Sequence, residues 1–187
     1  NNANTGMQHV TNTDGKPLIF NSGESIHSSN DAFNGLLVDE NPAVLAVTIH
    51  SSNNNQYVVP SGKRLYVTCG RAIYFNTNNA STGMQHVTNT DGKPLIFNSG
   101  ESIHSNNDAF NGYLVDENYF AGCGVGGGSS ATSSLDSTTI ANMIAGAGGG
   151  CDFLYPDGIN GIAVSEEILA NTSYIVPSGK RLYLLTW

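Results

Sequence analysis

Residues 57–70 read YVVPSGKRLYVTCG, and the stretch returns at 174–187 as YIVPSGKRLYLLTW. We call it the VPSGK block. In both copies Pro and Gly separate two runs that are rich in β-branched and aromatic residues. This pattern predicts a strand, a turn and a second strand.

A longer block is also repeated. Residues 2–41 and 79–118 differ at three of 40 positions. The long-block copies are offset by 77 residues and the VPSGK copies by 117, so the second half carries about 40 extra residues, within 119–173. Near-identity indicates a recent duplication and does not say which positions are functional.

Turn dipeptides divide the long block into short apolar runs. The runs are separated by Asp14-Gly15, Ser22-Gly23 and Asn34-Gly35, and Asp-Gly and Asn-Gly are strong turn signals because both residues tolerate a positive φ. They predict short strands at 8–11, 18–20 and 36–38, and further strands are expected at 44–49 and 72–75. Short strands at regular spacing favour an all-β antiparallel sandwich or barrel.

A Gly-rich insert separates the second long block from the last VPSGK block. Within it we expect one short helix at 137–145, capped by Asp136 and ended by Gly146. Cys123 and Cys151 bracket this helix, and a disulfide between them is a hypothesis for an oxidising compartment.

The predicted domain organisation follows the blocks. Residues 1–56 form a first, incomplete module and residues 57–120 a second module. The insert follows at 121–173, and 174–187 form a terminal strand pair. The chain begins with a long block that no VPSGK block precedes, and it ends with a VPSGK block that no long block follows. The terminal pair is therefore expected to complete the first module, either in the same chain or in a neighbouring one.

The terminal strand is apolar on both faces, from Arg181 to Trp187. A strand of this kind needs a sheet on both sides. Closure within the chain would give a permuted pair of modules. Insertion into a neighbour would be strand complementation, and that head-to-tail contact generates an open filament unless the rotation closes a ring. The expected subunit-joining residues are Tyr174, Val176, Leu182, Tyr183, Leu184, Leu185 and Trp187.

Composition excludes several classes of protein. Only 12% of residues are charged, against a usual proportion of about a quarter, while 39% are hydrophobic, enough for a core. A net charge of −8 without a basic stripe argues against a nucleic-acid partner. No apolar run approaches the roughly 18 residues of a membrane helix, so membrane insertion is not expected.

Candidate chemistry is sparse. The five histidines lack the spacing of zinc motifs, and no GxSxG is present, so we expect neither a cofactor nor an enzyme. Asp39-Glu40 and Asp116-Glu117 could hold a structural Ca²⁺, although surface carboxylates are the favoured interpretation.

The VPSGK block, the run PLIFNSGESI and the phrase NGYLVDENYF at Asn111–Phe120 resemble jelly-roll-type repeat modules of long secreted bacterial surface and fibre proteins. In the first copy Leu36 replaces the Tyr, and Pro42 follows Asn41. The resemblance implies two tandem jelly-roll-like modules and an extracellular or cell-surface setting. It implies no defined chemistry.

The leading functional expectation is a structural subunit of an extracellular filament, joined head to tail to copies of itself by terminal strand complementation. The alternative is a carbohydrate-binding adhesin that binds surface glycans by ring stacking. Its candidate stacking residues are Tyr113, Tyr119, Phe120 and Tyr155. A polysaccharide-active enzyme with a carboxylate pair is the third class.

Overall fold

The protein is all-β, with antiparallel sheets. The structure is a computed structural model that describes residues 16–27, 31–52, 54–70, 73–76, 85–87, 94–105, 108–120, 152–170 and 172–186. None of these residues is helical. The strands are β1 (Leu18–Phe20), β2 (Ser25–Ile26), β3 (Asp31–Asp39), β4 (Leu45–Ser51), β5 (Tyr57–Val58), β6 (Lys63–Gly70), β7 (Ile73–Asn76), β8 (Gln85–Val87), β9 (Leu95–Phe97), β10 (Ser102–His104), β11 (Asp108–Asp116), β12 (Gly161–Ile168), β13 (Tyr174–Ile175) and β14 (Lys180–Thr186).

The described strands fall into two units. The continuous unit, β4 to β11, has one sheet in the order β4-β11-β6-β9 and a second in the order β5-β10-β7-β8. The split unit combines β1 to β3 from one end of the chain with β12 to β14 from the other. Its sheets have the orders β1-β14-β3-β12 and β13-β2. The last VPSGK block therefore pairs with the first long block in the same chain.

The two units repeat one arrangement. The four-stranded sheet of the split unit has the same order as that of the continuous unit, with β1 in the place of β9, β14 of β6, β3 of β11 and β12 of β4. Each sheet also contains one register shift, at Asn111/Gly112 between β11 and β6 and at Leu184/Thr186 between β14 and β3. The same strand sequences thus give the same sheet although the chain order is permuted.

Three apolar clusters form the core, one in each unit and one between the units. One packs inside the continuous unit around Leu65, Ile103 and Phe110. A second is centred in the split unit around Phe33, Leu182 and Leu184. The third lies between the two units and includes Ile19 and Tyr183 from the split unit with Tyr66, Tyr113 and Phe120. We call the region of this third cluster the junction.

Strand pairing crosses the predicted module boundaries in two places. β4 lies within the predicted first module, 1–56, but all seven of its residues pair with β11. β12 lies within the predicted insert, 121–173, but pairs along its whole length with β3. The physical reason is that Leu45-Ala46-Val47-Thr48 and Ile162-Ala163-Val164-Ser165 are copies of one further strand. The predicted helix at 137–145, Cys123 and Cys151 lie outside the described residues.

Candidate functional site at the junction

The terminal strands lie inside the split unit. β14 is a central strand, with Leu18 opposite Leu184 on one side and Leu36 opposite Tyr183 on the other. Val176, Leu182, Tyr183 and Leu184 are each at most 1% exposed. Of the other predicted joining residues, Tyr174 packs edge to face on Phe33, Leu185 is half-buried, and Trp187 lies outside the described residues.

Side-chain amides join the two units at their strand edges. The amide N–H of Ile19 donates to Oδ1 of Asn111 at 2.7 Å, and Nδ2 of Asn111 donates to the carbonyl of Ile19 at 2.8 Å. Asn21 binds Ala46 in the same way. Its Nδ2 donates to the carbonyl of Ala46 at 2.7 Å, and the amide N–H of Ala46 donates to its Oδ1 at 3.1 Å. An amide side chain offers one acceptor and two donors, so it can satisfy an edge residue as a neighbouring strand would.

Aromatic rings fill the junction beside these amides. Tyr66 stacks on Tyr113, with ring centroids 5.0 Å apart, and Phe120 and Phe153 pack against Tyr66. The hydroxyl of Tyr113 donates to the carbonyl of Phe153 at 2.7 Å. Such contacts contribute roughly 0.5–1.5 kcal/mol each beyond the burial of their area.

The predicted stacking residues belong to this packing. Tyr113 is fully buried and Phe120 is 8% exposed, so their faces are covered by protein and do not offer a platform for a sugar ring. Tyr119 and Tyr155 are half-buried, with Tyr119 edge to face on Phe120 and Tyr155 tilted on Tyr183. The reason is physical, since aromatic side chains between two facing sheets gain more from burial than from exposure.

A buried arginine links the polar side of the junction. Arg181 is fully buried, its Nε lies 2.7 Å from Oδ2 of Asp157, and its Nη2 lies 3.5 Å from Oε1 of Glu40. Nη2 also donates to the main-chain carbonyl of Val44 at 2.6 Å. A buried charge needs this degree of pairing because desolvation otherwise costs several kcal/mol.

Burial sets the protonation of the surrounding groups. Desolvation raises the pKa of Asp157, an effect that Arg181 and the Tyr183 hydroxyl oppose. Desolvation also raises the pKa of Glu24, and hydrogen bonds from Asn21 oppose it. Desolvation raises the pKa values of Tyr113 and Tyr183 as well, so both hydroxyls stay protonated and donate hydrogen bonds. The arrangement is suited to holding two surfaces together.

The carboxylates considered for Ca²⁺ have other partners. Asp39 forms an ion pair with Lys180 and Asp116 with Lys63, both at 2.6 Å. Glu40 contacts Arg181, and Glu117 is exposed. Within the described ranges, no three His, Cys, Asp or Glu side chains come together as a metal site would require.

Sequence reasoning missed four residues that build the junction: Asn21, Asn111, Asp157 and Arg181. A signal was available for Asn111, a polar residue within an otherwise apolar strand, whereas Asn21 directly follows β1 and carried none. Arg181 stands in the VPSGK block as Arg64 does, where a charge within an apolar strand invites a buried partner. Asp157 carried no such signal, since it lies in a loop of the predicted insert, outside both repeated blocks.

Comparisons of the chain with protein-family models, with curated proteins and with solved structures found no match. The part of the chain that the structure describes contains no helix long and apolar enough to cross a membrane.

Proposed function

We propose that the chain is a non-enzymatic structural subunit of an extracellular or surface filament. In this proposal each unit is a jelly-roll-like sandwich module, and copies join head to tail by exchanging the terminal strand pair, β13 and β14. The partner is another copy of the same chain.

The position of β14 carries the proposal. β14 fills the middle of a sheet whose other strands include β1 and β3, more than 140 residues earlier in the chain. The same strand from a neighbouring copy would make identical main-chain hydrogen bonds and fill identical apolar sites, as in domain swapping. Exchange therefore costs no contacts.

The composition agrees with close packing of copies. Because only 12% of residues are charged, contacts between neighbouring subunits would remove few charges from water. The extracellular setting rests on the resemblance of the VPSGK block and the long block to secreted fibre modules. The carbohydrate-binding alternative has less support, since Tyr113 and Phe120 are buried.

A reversible lock tests strand exchange. Asp39 and Lys180 are directly opposite each other on β3 and β14. Opposed residues of antiparallel strands have Cα atoms about 4.5–5.5 Å apart, which suits a disulfide. We expect the Asp39→Cys/Lys180→Cys variant to form filaments under reducing conditions. When it is oxidised as a dilute monomer before assembly, so that the disulfide closes within each chain, it should form none, as observed by electron microscopy.

The continuous unit supplies a matched control. Lys63 and Asp116 are the counterparts of Lys180 and Asp39, also directly opposed, on β6 and β11. Oxidising Lys63→Cys/Asp116→Cys should leave filament formation intact because neither strand is exchanged. Filaments that grow equally well with the Asp39–Lys180 lock closed would overturn strand exchange.

A further inference from the structure

Each unit carries two elements that could take part in a contact between units. We call the first the docking edge: Ile19 and Asn21 in the split unit, Ile96 and Asn98 in the continuous unit. We call the second the docking surface. It consists of Ala46, Thr48 and Asn111 in the continuous unit and of Ala163, Ser165 and Asn34 in the split unit.

Within the chain, one edge meets one surface. The docking edge of the split unit binds the docking surface of the continuous unit through the amide bonds of Asn111 and Asn21. This contact leaves Ile19 and Asn111 fully buried and Ala46 at 3% exposure. The contact is heterologous, since the two units contribute different elements.

The other edge and the other surface are exposed. Ile96, the counterpart of Ile19, is 49% exposed. Asn98, Asn34, Ala163 and Ser165 are exposed as well. Oδ1 of Asn34 accepts no hydrogen bond from the residues that the structure describes, whereas Oδ1 of Asn111 accepts from Ile19.

The free surface already has the geometry of the occupied one. Nδ2 of Asn34 donates to Oγ of Ser165 at 2.8 Å, just as Nδ2 of Asn111 donates to Oγ1 of Thr48 at 2.9 Å. Asn34 therefore points the same way on its sheet as Asn111. Its amide needs no reorientation before it binds a strand edge.

The free edge matches the occupied edge in the same manner. After β1, the main-chain N–H of Asn21 donates to Oε2 of Glu24 at 2.7 Å, and Gly23 has a φ of 79°. After β9, the main-chain N–H of Asn98 donates to Oε2 of Glu101 at 2.6 Å, and Gly100 has a φ of 80°. The two turns hold their asparagines alike.

Arg64 gives a further sign of an unfilled contact. Its counterpart Arg181 binds the carbonyls of Asn41 and Val44, which lead into β4 of the other unit. Arg64, by contrast, is only half-buried, whereas Arg181 is fully buried by the contact. A unit docked at β9 would bring the corresponding carbonyls, which lead into β12, beside it.

We propose that the docking edge of one chain, Ile96 and Asn98, binds the docking surface of a second copy, Asn34, Ala163 and Ser165. The contact repeats between chains the one that joins the two units within a chain. Because it is heterologous, it produces a ring or an open row of copies. It rests on the proposal that copies assemble, but it does not require strand exchange.

Two blocked variants test the contact. Asn34→Arg places a bulky charge on the docking surface and leaves the edge free, and Ile96→Arg does the reverse. We expect the wild type to grow in mass with concentration in analytical ultracentrifugation. Each variant alone should associate at least ~10-fold more weakly, a loss of about 1.4 kcal/mol.

The mixture of the two variants gives the sharpest result. One intact edge and one intact surface remain, so an equimolar mixture should form a 1:1 dimer and grow no further. Val58→Arg is the matched control, because Val58 is 54% exposed and its counterpart Ile175, in the unit whose edge is docked, stays 59% exposed. It should assemble as the wild type does.

Several outcomes would overturn the docking contact. These are a wild type that stays monomeric at every concentration, variants that assemble normally, or a mixture that does not dimerise. Repeating the measurement with the Asp39→Cys/Lys180→Cys lock closed separates the two proposals. Association that survives the lock but is lost with Asn34→Arg supports docking and contradicts strand exchange, and the opposite result contradicts docking.

Discussion

Nε of Arg181 lies 2.7 Å from Oδ2 of Asp157, and neither side chain is exposed to solvent. The guanidinium also binds Asn21 of the split unit and the carbonyl of Val44, which leads directly into β4 of the continuous unit. A single charged residue of the terminal strand therefore couples closure of the split unit to its attachment to the continuous unit.

Replacing Arg181 should destabilise the fold strongly. Arg181→Met leaves the Asp157 carboxylate buried without its charge partner, which costs about 3–5 kcal/mol in the free energy of unfolding. Urea denaturation of the isolated chain measures the change. The double variant Arg181→Met/Asp157→Asn should recover part of the loss, and Arg64→Met, at the half-buried counterpart, should cost clearly less. Equal losses for Arg64 and Arg181 would contradict the role of the junction.

The asparagine bridge gives a second matched pair. Asn111→Ala leaves the N–H and carbonyl of Ile19 buried without partners, so we expect a loss of about 3 kcal/mol. Asn34→Ala removes the same residue of the repeat from an exposed position and should stay within about 0.5 kcal/mol in the monomer. Thermal or urea unfolding at low concentration compares the two, and similar losses would show that the bridge does not stabilise the junction.

Gly112 lies at the register shift of β11, where its neighbour strand comes close. A Cβ at this position would lie 2.1 Å from the main-chain oxygen of Tyr66, so Gly112→Ala forces the strands apart. We expect a loss of about 3 kcal/mol or more. Gly62→Ala is the comparison, because Gly62 has open space around it but a φ of 73°, and it should cost about 1 kcal/mol. An Ala at 112 tolerated better than one at 62 would contradict the close approach.

The stability of the continuous unit should depend on pH through His104. This residue is 4% exposed and stacks on Tyr74, and its burial lowers its pKa below 6.5. The unfolded chain therefore binds the proton more tightly, so the free energy of unfolding falls as pH drops below about 6.5. His104→Gln should lose less stability than the wild type over this range. Denaturation curves at several pH values test this, and parallel pH dependences would contradict it.

The strand content could be predicted from the sequence because turn chemistry is local. The expected strand at 18–20 matches β1, and the expected strand at 36–38 lies within β3. The turn expected at Asn34-Gly35 is wrong, because both residues lie inside β3. The turn of the VPSGK block forms as expected, with the amide of Lys63 bonded to the carbonyl of Pro60. Local signals of this kind need no knowledge of the distant chain.

The junction could not be predicted in the same way. β12 was hidden in the Gly-rich insert, since Ala163-Val164-Ser165 resembles Ala46-Val47-Thr48 only when the 117-residue offset is applied to it. Tyr113 reads as a candidate stacking residue because pattern alone does not show which face of a strand another sheet covers. Its burial follows from the packing of two sheets that no short segment specifies.

The permuted split unit has a consequence for how the chain is made. During synthesis the first long block, 2–41, and then β6 leave the ribosome before the second long block, 79–118, exists. β6 therefore meets a nearly identical wrong partner first. Among the described residues the copies differ only at Leu36 and Tyr113, and Tyr113 stacks on Tyr66 of β6 with ring planes 4° apart. Leu36 has no ring that could stack on Tyr66. The Tyr66–Tyr113 pair therefore favours replacement of the first long block by the second as the partner of β6, once the second has been translated.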